Sequence, residues 1–364
     1  MNVRKIKLET NKFPPDFHGN YIYDNVGGSF FDNIDIVLEE LCAKYFLENY
    51  NDSIRPVRHY DQFDALHYLK DNIEEFIFKE GHPGAEQESR RIDSQVLGQT
   101  ICRYVIEKTF GSGFISHVKP LLGKKFPGKF ASISINRCKK GDSPDYIFMD
   151  NLNKPCLAEA KGRRDQIEFT DPVFTTWREQ FSTVEVKING NVTEVKGYIM
   201  ALVIANEHNS ISNSTLYVED PVNEGEVYRD GLLGELIQMA HYERILSRSG
   251  LNFIGNSLLS EDKLSKDKKY KFPIYRATGV YELQDDDLVP LVPHNHRFDH
   301  FYGGTFVGIT LRTLEILLNI ARGNDGEYIR NQKPKNFNNV LFKFTDDFVV
   351  GNSYLFDYYG FQEV

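Results

Sequence analysis

The stretch Ser143-Pro144-Asp145-Tyr146-Ile147-Phe148 is followed, after the turn-rich Asp150-Asn151-Leu152-Asn153-Lys154-Pro155, by Leu157-Ala158-Glu159-Ala160-Lys161-Gly162. Two short apolar runs flank polar turn residues, which is the pattern of a β-hairpin. Tyr146 to Met149 and Cys156 to Ala160 are its expected strands. Side chains alternate faces along a strand, so Glu159 and Lys161 share one face while Ala158 and Ala160 turn to the other and can lie under a helix. A hairpin turn near Asn151 lays Asp145 beside Glu159. Two carboxylates and an ammonium therefore converge on one patch.

Working outward, a helix is expected from Ala85 to Phe110, with Ile92, Val96, Leu97, Ile101, Tyr104 and Val105 as its buried stripe and Gly111-Ser112-Gly113 as its stop. Strand-like segments follow at Phe114 to Val118 and Phe130 to Asn136, before the hairpin. Beyond it come a helix over Val173 to Val184 and the apolar run Gly197 to Ala205, whose unbroken hydrophobicity suits a strand buried on both faces. Residues 1–80 read as a mainly helical accessory lobe, because Ile34, Val37, Leu38, Leu41 and Tyr45, and then Leu66, Leu69, Ile73 and Ile77, keep helical spacing. Residues 81–220 form the core, and 221–364 an α/β extension for substrate or partner binding, with a helix over Leu232 to Leu246, a strand over Phe272 to Arg276 and an amphipathic helix over Leu311 to Ala321. The lysine-rich Asp262 to Lys271 reads as an exposed loop.

Hydrolysis of a phosphodiester requires an activated water and neutralisation of charge on the phosphate. A carboxylate pair holding Mg²⁺ or Mn²⁺ supplies both, and a neighbouring lysine orients the water or offsets developing charge. The quoted segments resemble the PD-(D/E)XK nuclease superfamily, the restriction-endonuclease-like fold. The likeness spans roughly residues 85–206 when the expected αβββαβ order is included. It implies an α/β (α+β) core with a central mixed sheet flanked by helices. It also implies that Asp145 and Glu159 bind the metal, that the Ala160 carbonyl adds a ligand, and that Lys161 is the catalytic lysine. Relatives often add a glutamate from the first core helix, for which Glu86 and Glu88 are the candidates. Glu88 is preferred, four residues before Ile92, against the alternative of an acid stabilising the helix's first turn. Relatives also carry a polar residue on the following helix, a place open to Gln180 or Arg178. Arg163 and Arg164 are candidates for phosphate contact, the alternative being two exposed arginines at a strand end.

The net charge of −9 would disfavour a nucleic acid if it were spread evenly. It is not: between Gly113 and Arg164 there are eleven Lys and Arg against four acids. A basic island around a carboxylate pair suits an anionic polymer, and a solvated lysine-rich loop region suits it equally. DNA is the expected partner, with RNA left open. Cys42, Cys102, Cys138 and Cys156 form no C-x-x-C pair, which is the usage of reduced structural thiols in a cytoplasmic protein and implies no cofactor of their own. The longest apolar stretch is too short to cross a bilayer, so no membrane partner is expected.

His294-Asn295-His296-Arg297-Phe298-Asp299-His300 holds three histidines and an aspartate. Without a matching Cys or Glu-x-x-His element it reads as a polar loop sooner than a second metal site. No G-x-x-x-x-G-K-[ST] loop is present, so any unwinding would need a separate ATPase or helicase partner. Double-strand cutting would call for two sites and hence a homodimer. The expected activity is Mg²⁺-dependent DNA hydrolysis by a nuclease, of which a restriction or antiphage-defence effector is one setting. Two alternatives stay open: a non-cleaving or partner-gated nucleic-acid-binding subunit of a defence or repair complex, and an unrelated α/β protein whose Glu-x-Lys is a surface ion pair worth little.

Overall fold

The computed structural model describes residues 3–12, 33–51, 66, 68–82, 86–150, 154–220, 231–278, 286–291, 305–324, 342–345, 348–352 and 355–364. The chain is a mixed α/β protein that divides into two compact units, Met1–Glu48 with Asp64–Ile237, and Asn49–Phe63 with Gln238–Val364. Among the described residues no helix is long and apolar enough to cross a membrane.

The first unit is built on a seven-stranded mixed sheet. In chain order its elements are β1 (Val3–Asn11), β2 (Asn33–Val37), α1 (Leu38–Asn51, of which the last three residues belong to the second unit), β3 (Ile77–Phe78), α2 (Gln87–Phe110), β4 (Ile115–His117), β5 (Ile133–Arg137), β6 (Tyr146–Met149), β7 (Pro155–Arg163), α3 (Pro172–Phe181), β8 (Val184–Ile188), β9 (Asn191–Thr193), β10 (Lys196–Val203), β11 (Ala205–Asn206), β12 (Thr215–Glu219) and the start of α4 (Leu232–Ser247). The sheet order is β2-β1-β12-β10-β7-β6-β4. Strand β10 runs parallel to β7, and β1 parallel to β12; the remaining neighbours are antiparallel.

The centre of this sheet follows the expected hairpin. β6 and β7 pair antiparallel with Tyr146 opposite Ala158 and Met149 opposite Pro155. β10, buried from Gly197 to Val203, lies on the other side of β7, as a continuous apolar run requires. α2 covers one face. Gly98 sits so close to β7 that a methyl there would approach the Lys161 carbonyl carbon to 2.6 Å, and one on Gly162 would land on the Ser94 carbonyl oxygen. α3 covers the opposite face, where Phe174 and Trp177 pack on Ile199, Ala201 and Val203. α2 ends as expected at Gly111, whose left-handed backbone lets its N–H donate to the Glu107 carbonyl at 3.1 Å.

Three expectations are corrected. The described part of residues 1–80 is not mainly helical: the expected helix is present from Leu38 to Asn51, but Asn33 to Val37 ahead of it forms a strand, and Val3 to Asn11 with it extends the central sheet through pairing of β1 with β12, some two hundred residues later in the chain. The described part of the segment from Leu66 to Ile77 is likewise not an α-helix; its turns and bridges lead into β3, which pairs with β11. Strand β5 leaves the central sheet and, after the 3₁₀ turn Gly128–Ser132, forms a separate three-stranded sheet with β8 and β9. Ile92, taken for core, is 38% exposed, because the first turns of α2 project beyond the sheet and its buried face begins at Ser94.

The second unit holds the remainder of α4, α5 (Asn252–Leu258), β13 (Lys271–Ala277), β14 (Leu288–Pro290), β15 (Thr305–Thr310), α6 (Leu311–Ala321), β16 (Phe342–Thr345), β17 (Phe348–Asn352) and β18 (Phe356–Glu363). Its six strands are ordered β16-β17-β15-β14-β13-β18. The α6 boundaries coincide with those expected: the Thr310 hydroxyl caps its start by accepting from the Thr313 N–H at 3.3 Å, and Leu314, Leu317 and Leu318 are fully buried. The stretch Asp262 to Tyr270 is a mostly exposed loop, as its charge implies, and Lys271 begins β13. The histidine-rich segment from His294 to His300 lies outside the described residues.

Candidate metal-binding carboxylate site

Continuing the β6–β7 register by one residue places Asp145 opposite Glu159, and directly opposed residues share a face. Lys161, two residues along, joins them there. β6 begins only at Tyr146, so it offers no ladder partner at this point. Asp145 takes that role, its Oδ2 accepting a hydrogen bond from the Ala160 N–H at 2.9 Å. That bond fixes the aspartate against the strand that carries the glutamate and the lysine. Glu159 is 1% exposed and forms an ion pair with Lys161, which remains partly open to solvent.

α3 brings one further group. The Gln180 carboxamide lies 2.7 and 2.5 Å from the two Glu159 oxygens, a geometry that calls for its NH₂ to donate to the carboxylate. Of the two residues expected in this place, Gln180 faces the site. Arg178 does not; its guanidinium donates to both oxygens of Glu219 on β12 at 2.9 and 2.8 Å.

The electrostatics of the site are those of too much negative charge in too little water. Burial pushes the Glu159 carboxyl well above the usual carboxylate range, the neighbouring Asp145 pushes it further, and Lys161 offsets this only in part. Asp145 is raised as well, by burial first, against the pull of Lys161 and the Ala160 N–H. For Lys161 burial acts to lower the pKa, but Glu159 and Asp145 outweigh it and hold the ammonium above its ordinary value. One lysine thus serves as counter-ion to two carboxylates.

Hard oxygen donors, two of them carboxylates, fit Mg²⁺ or Mn²⁺, which are held by one or two protein carboxylates while water and substrate phosphate complete the shell. They do not make a zinc or calcium cage: among the described residues no group of three or more His, Cys, Asp or Glu side chains is close enough to hold a metal. Glu88 is therefore not part of the site. It lies on the exposed first turn of α2, where it pairs with Arg91 at 2.8 Å, and that pairing lowers its pKa. Its assignment rested on Ile92 being buried, which it is not. Arg163 and Arg164 follow Lys161 out of the strand and line a cleft beside α2.

A second buried charged cluster was not foreseen. On α1, Glu40, Lys44 and Glu48 recur every fourth residue and meet Lys108, Glu107 and Arg103 of α2, with Glu40–Lys108 at 2.7 Å and Glu48–Arg103 at 3.1 Å. His117 Nε2 lies 2.8 Å from Glu48, and Arg103 stacks over the Tyr146 ring at 5.6 Å. Burial alone would raise the Glu48 carboxyl, but His117 and Arg103 hold it at about 2. His117 opposes Tyr146, and Tyr146 opposes Ala158, so the cluster belongs to the α2 face of the sheet, behind the Asp145–Glu159 face. The four-residue recurrence of alternating charge on α1 was its one signal in the sequence. None of the four cysteines is in a disulfide, and Cys42, Cys102 and Cys156 are buried.

Compared with known proteins, the chain matches no family model, no curated protein and no solved structure.

Proposed function

We propose that this chain is a metal-dependent nuclease that hydrolyses DNA phosphodiester bonds at Asp145, Glu159 and Lys161. The observation that carries the reading is the convergence of these three groups on one sheet face, with the two carboxylates opposed across a hairpin and undercompensated by a single ammonium. The order α2, β4, β6, β7, α3, β10, with β7 and β10 parallel at its centre, supports a core of the PD-(D/E)XK type.

Asp145 and Glu159 would hold the Mg²⁺ or Mn²⁺, with the Ala160 carbonyl as a third oxygen. When bound, the ion supplies Lewis-acid activation of water and neutralisation of charge on the phosphate. Gln180 positions Glu159 by donating to its oxygens. Lys161, on the same face, would orient the attacking water and stabilise the negative charge that develops on the phosphate.

The test compares the wild-type chain with Lys161→Ala on supercoiled, linear and single-stranded DNA and on RNA, each with Mg²⁺, Mn²⁺ or EDTA. Metal-dependent cleavage of DNA that falls by roughly 10²- to 10⁴-fold in Lys161→Ala is expected. Cutting that survives EDTA, or that is the same in the variant, removes the mechanism. A wild-type chain that binds DNA without cutting it, alone or with a partner ATPase, would make it a binding subunit.

A further inference from the structure

Beyond Lys161 the strand β7 runs into a cleft of about 640 Å³. One wall is the first turns of α2, bearing Arg90 and Arg91; the other is the end of β7 and the residues after it, bearing Arg163 and Arg164. Among the described residues the only carboxylates in the lining are Glu88 and Asp165, so four guanidiniums face two acids.

The four arginines are not equivalent. Arg91 is paired with Glu88, and Arg164 donates to the Gly81 carbonyl at 2.5 Å. Arg90 and Arg163 have neither an ion pair nor a side-chain hydrogen bond among the described residues, although both are half-buried. Burial, and next the charge of Arg90, push the Arg164 guanidinium below its usual value, so the cationic groups repel each other across the cleft. Collecting unpaired like charges in a concavity is unfavourable unless an anion completes it.

The cleft is joined to the carboxylate site by the strand itself. Arg163 is the last residue of β7, about 6.6 Å beyond Lys161 at two strand rises and on the Glu159 face, and it borders the cleft at the strand end, where the first turns of α2 project beyond the sheet. The α2 N-terminus adds backbone N–H groups whose dipoles favour an anion, and the N-cap residue Glu86 makes no side-chain capping hydrogen bond to them. Planar guanidiniums bind phosphate oxygens in pairs, which distinguishes this lining from a surface of lysines.

We propose that this arginine cleft is a second phosphate-binding subsite, in which Arg90 and Arg163 grip a phosphate of the nucleic acid other than the one being cleaved. The inference rests on the nuclease reading and deepens it: the substrate is a polynucleotide, and a lone phosphodiester leaves half of the binding machinery idle. An internal phosphodiester and a terminal phosphomonoester offer the same oxygens to the cleft.

The experiment uses the full chain and the variants Arg90→Ala, Arg163→Ala and their combination, with Arg90→Lys and Arg163→Lys as versions that keep the charge but lose the fork. Thermal unfolding verifies that each is folded. Fluorescence anisotropy in EDTA gives Kd for labelled single-stranded and duplex DNA across a salt series, with and without a 5′-phosphate. Hydrolysis of bis(p-nitrophenyl) phosphate with Mg²⁺ reports on the carboxylate site alone. The double Ala variant is expected to bind DNA at least about tenfold more weakly, with a salt slope shallower by about 0.9 for each phosphate it no longer neutralises, and to lose far less of its small-diester hydrolysis than of its DNA affinity. A loss confined to 5′-phosphorylated DNA identifies the terminal monoester; an equal loss on both identifies an internal diester.

DNA affinity and salt slope unchanged in the double variant overturn the subsite and leave the nuclease reading standing. Arginine-dependent binding by a wild-type chain that hydrolyses neither DNA nor the small diester does the reverse. Loss of small-diester hydrolysis in a folded double variant also overturns the proposal, because it places these arginines at the reacting phosphate.

Discussion

Glu159 shows how much one carboxylate's position decides. Its folded pKa lies above its unfolded one, so the folded state holds the proton more tightly, and the stability this lends is complete below the unfolded pKa, near 4.5. It is lost as pH rises through the raised value. With EDTA present, Glu159→Gln should therefore melt at a higher temperature than the wild type at neutral pH, the two converging as pH falls toward 4.5. Mg²⁺ should close the neutral-pH gap from the wild-type side only, since a ligand at a hundred times its Kd adds about 2.7 kcal/mol to the state that binds it. Differential scanning calorimetry across pH, with and without Mg²⁺, decides this; parallel curves for the two proteins would mean that the carboxylate is not strained by its surroundings. The convergence of Asp145, Glu159 and Lys161 was readable in the sequence because hairpin register and strand alternation are local properties, set within about twenty residues, whereas only the resemblance offered Gln180, with Arg178 beside it. Glu88 was misplaced for a different reason. Helical periodicity reports which residues share a stripe, but not where along the helix its neighbours end, and α2 outruns the sheet before reaching Ile92. Glu48 and His117 escaped notice because their meeting depends on how α1 packs on α2.

At the level of elements, the site is held by how closely α2 lies on β7. Gly98 and Gly162 face each other without side chains, which brings the helix backbone onto the strand residue that carries Lys161. Small residues at such a crossing are a packing requirement that sequence periodicity does not report. Gly162→Ala must push helix and strand apart, since the obstacle is the Ser94 carbonyl, a backbone group that cannot rotate away. Overpacking of this kind costs about 1–3 kcal/mol, and the displaced strand carries Lys161 with it. The expected result is a chain that remains folded, unfolds at lower denaturant concentration, and loses more cleavage activity than its small stability loss explains. Full activity and an unchanged denaturation midpoint would show that the close approach is not needed. The same nonlocality hid β1. Ile6 and Leu8 do alternate with charged residues, but a nine-residue strand declares itself only when β12 is there to receive it. β10, α3 and α6 were legible because each announces its own burial, by an unbroken apolar run or an apolar stripe.

For the whole molecule, the division into units does not follow the chain. An extension beginning at residue 221 was expected, yet the boundary falls between Ile237 and Gln238, inside α4. The first part of that helix belongs to the unit that bears the site: Leu233, Leu236 and Ile237 are fully buried, Gly234 packs against Met149, and Glu235 pairs with Lys129 at 2.8 Å. The later part belongs to the second unit, and Met239, Tyr242, Ile245 and Leu246 on it have zero exposure. A fragment of residues 1–220 would thus keep Asp145, Glu159, Lys161 and all four cleft arginines, but uncover the surface that α4 covers. Each fully buried large aliphatic side chain contributes about 1.5–3 kcal/mol, so removing Leu233, Leu236 and Ile237 together withdraws much of the 5–15 kcal/mol that keeps a typical domain folded. The proposed site residues are all present in this fragment, but the platform that positions them is not complete. Size-exclusion chromatography of the 1–220 fragment should find aggregate or an expanded chain, and Mg²⁺-dependent cleavage should be lost although no proposed site residue is missing. A monodisperse, active 1–220 fragment would show that α4 is dispensable and that the site-bearing unit ends where the sequence pattern first placed it.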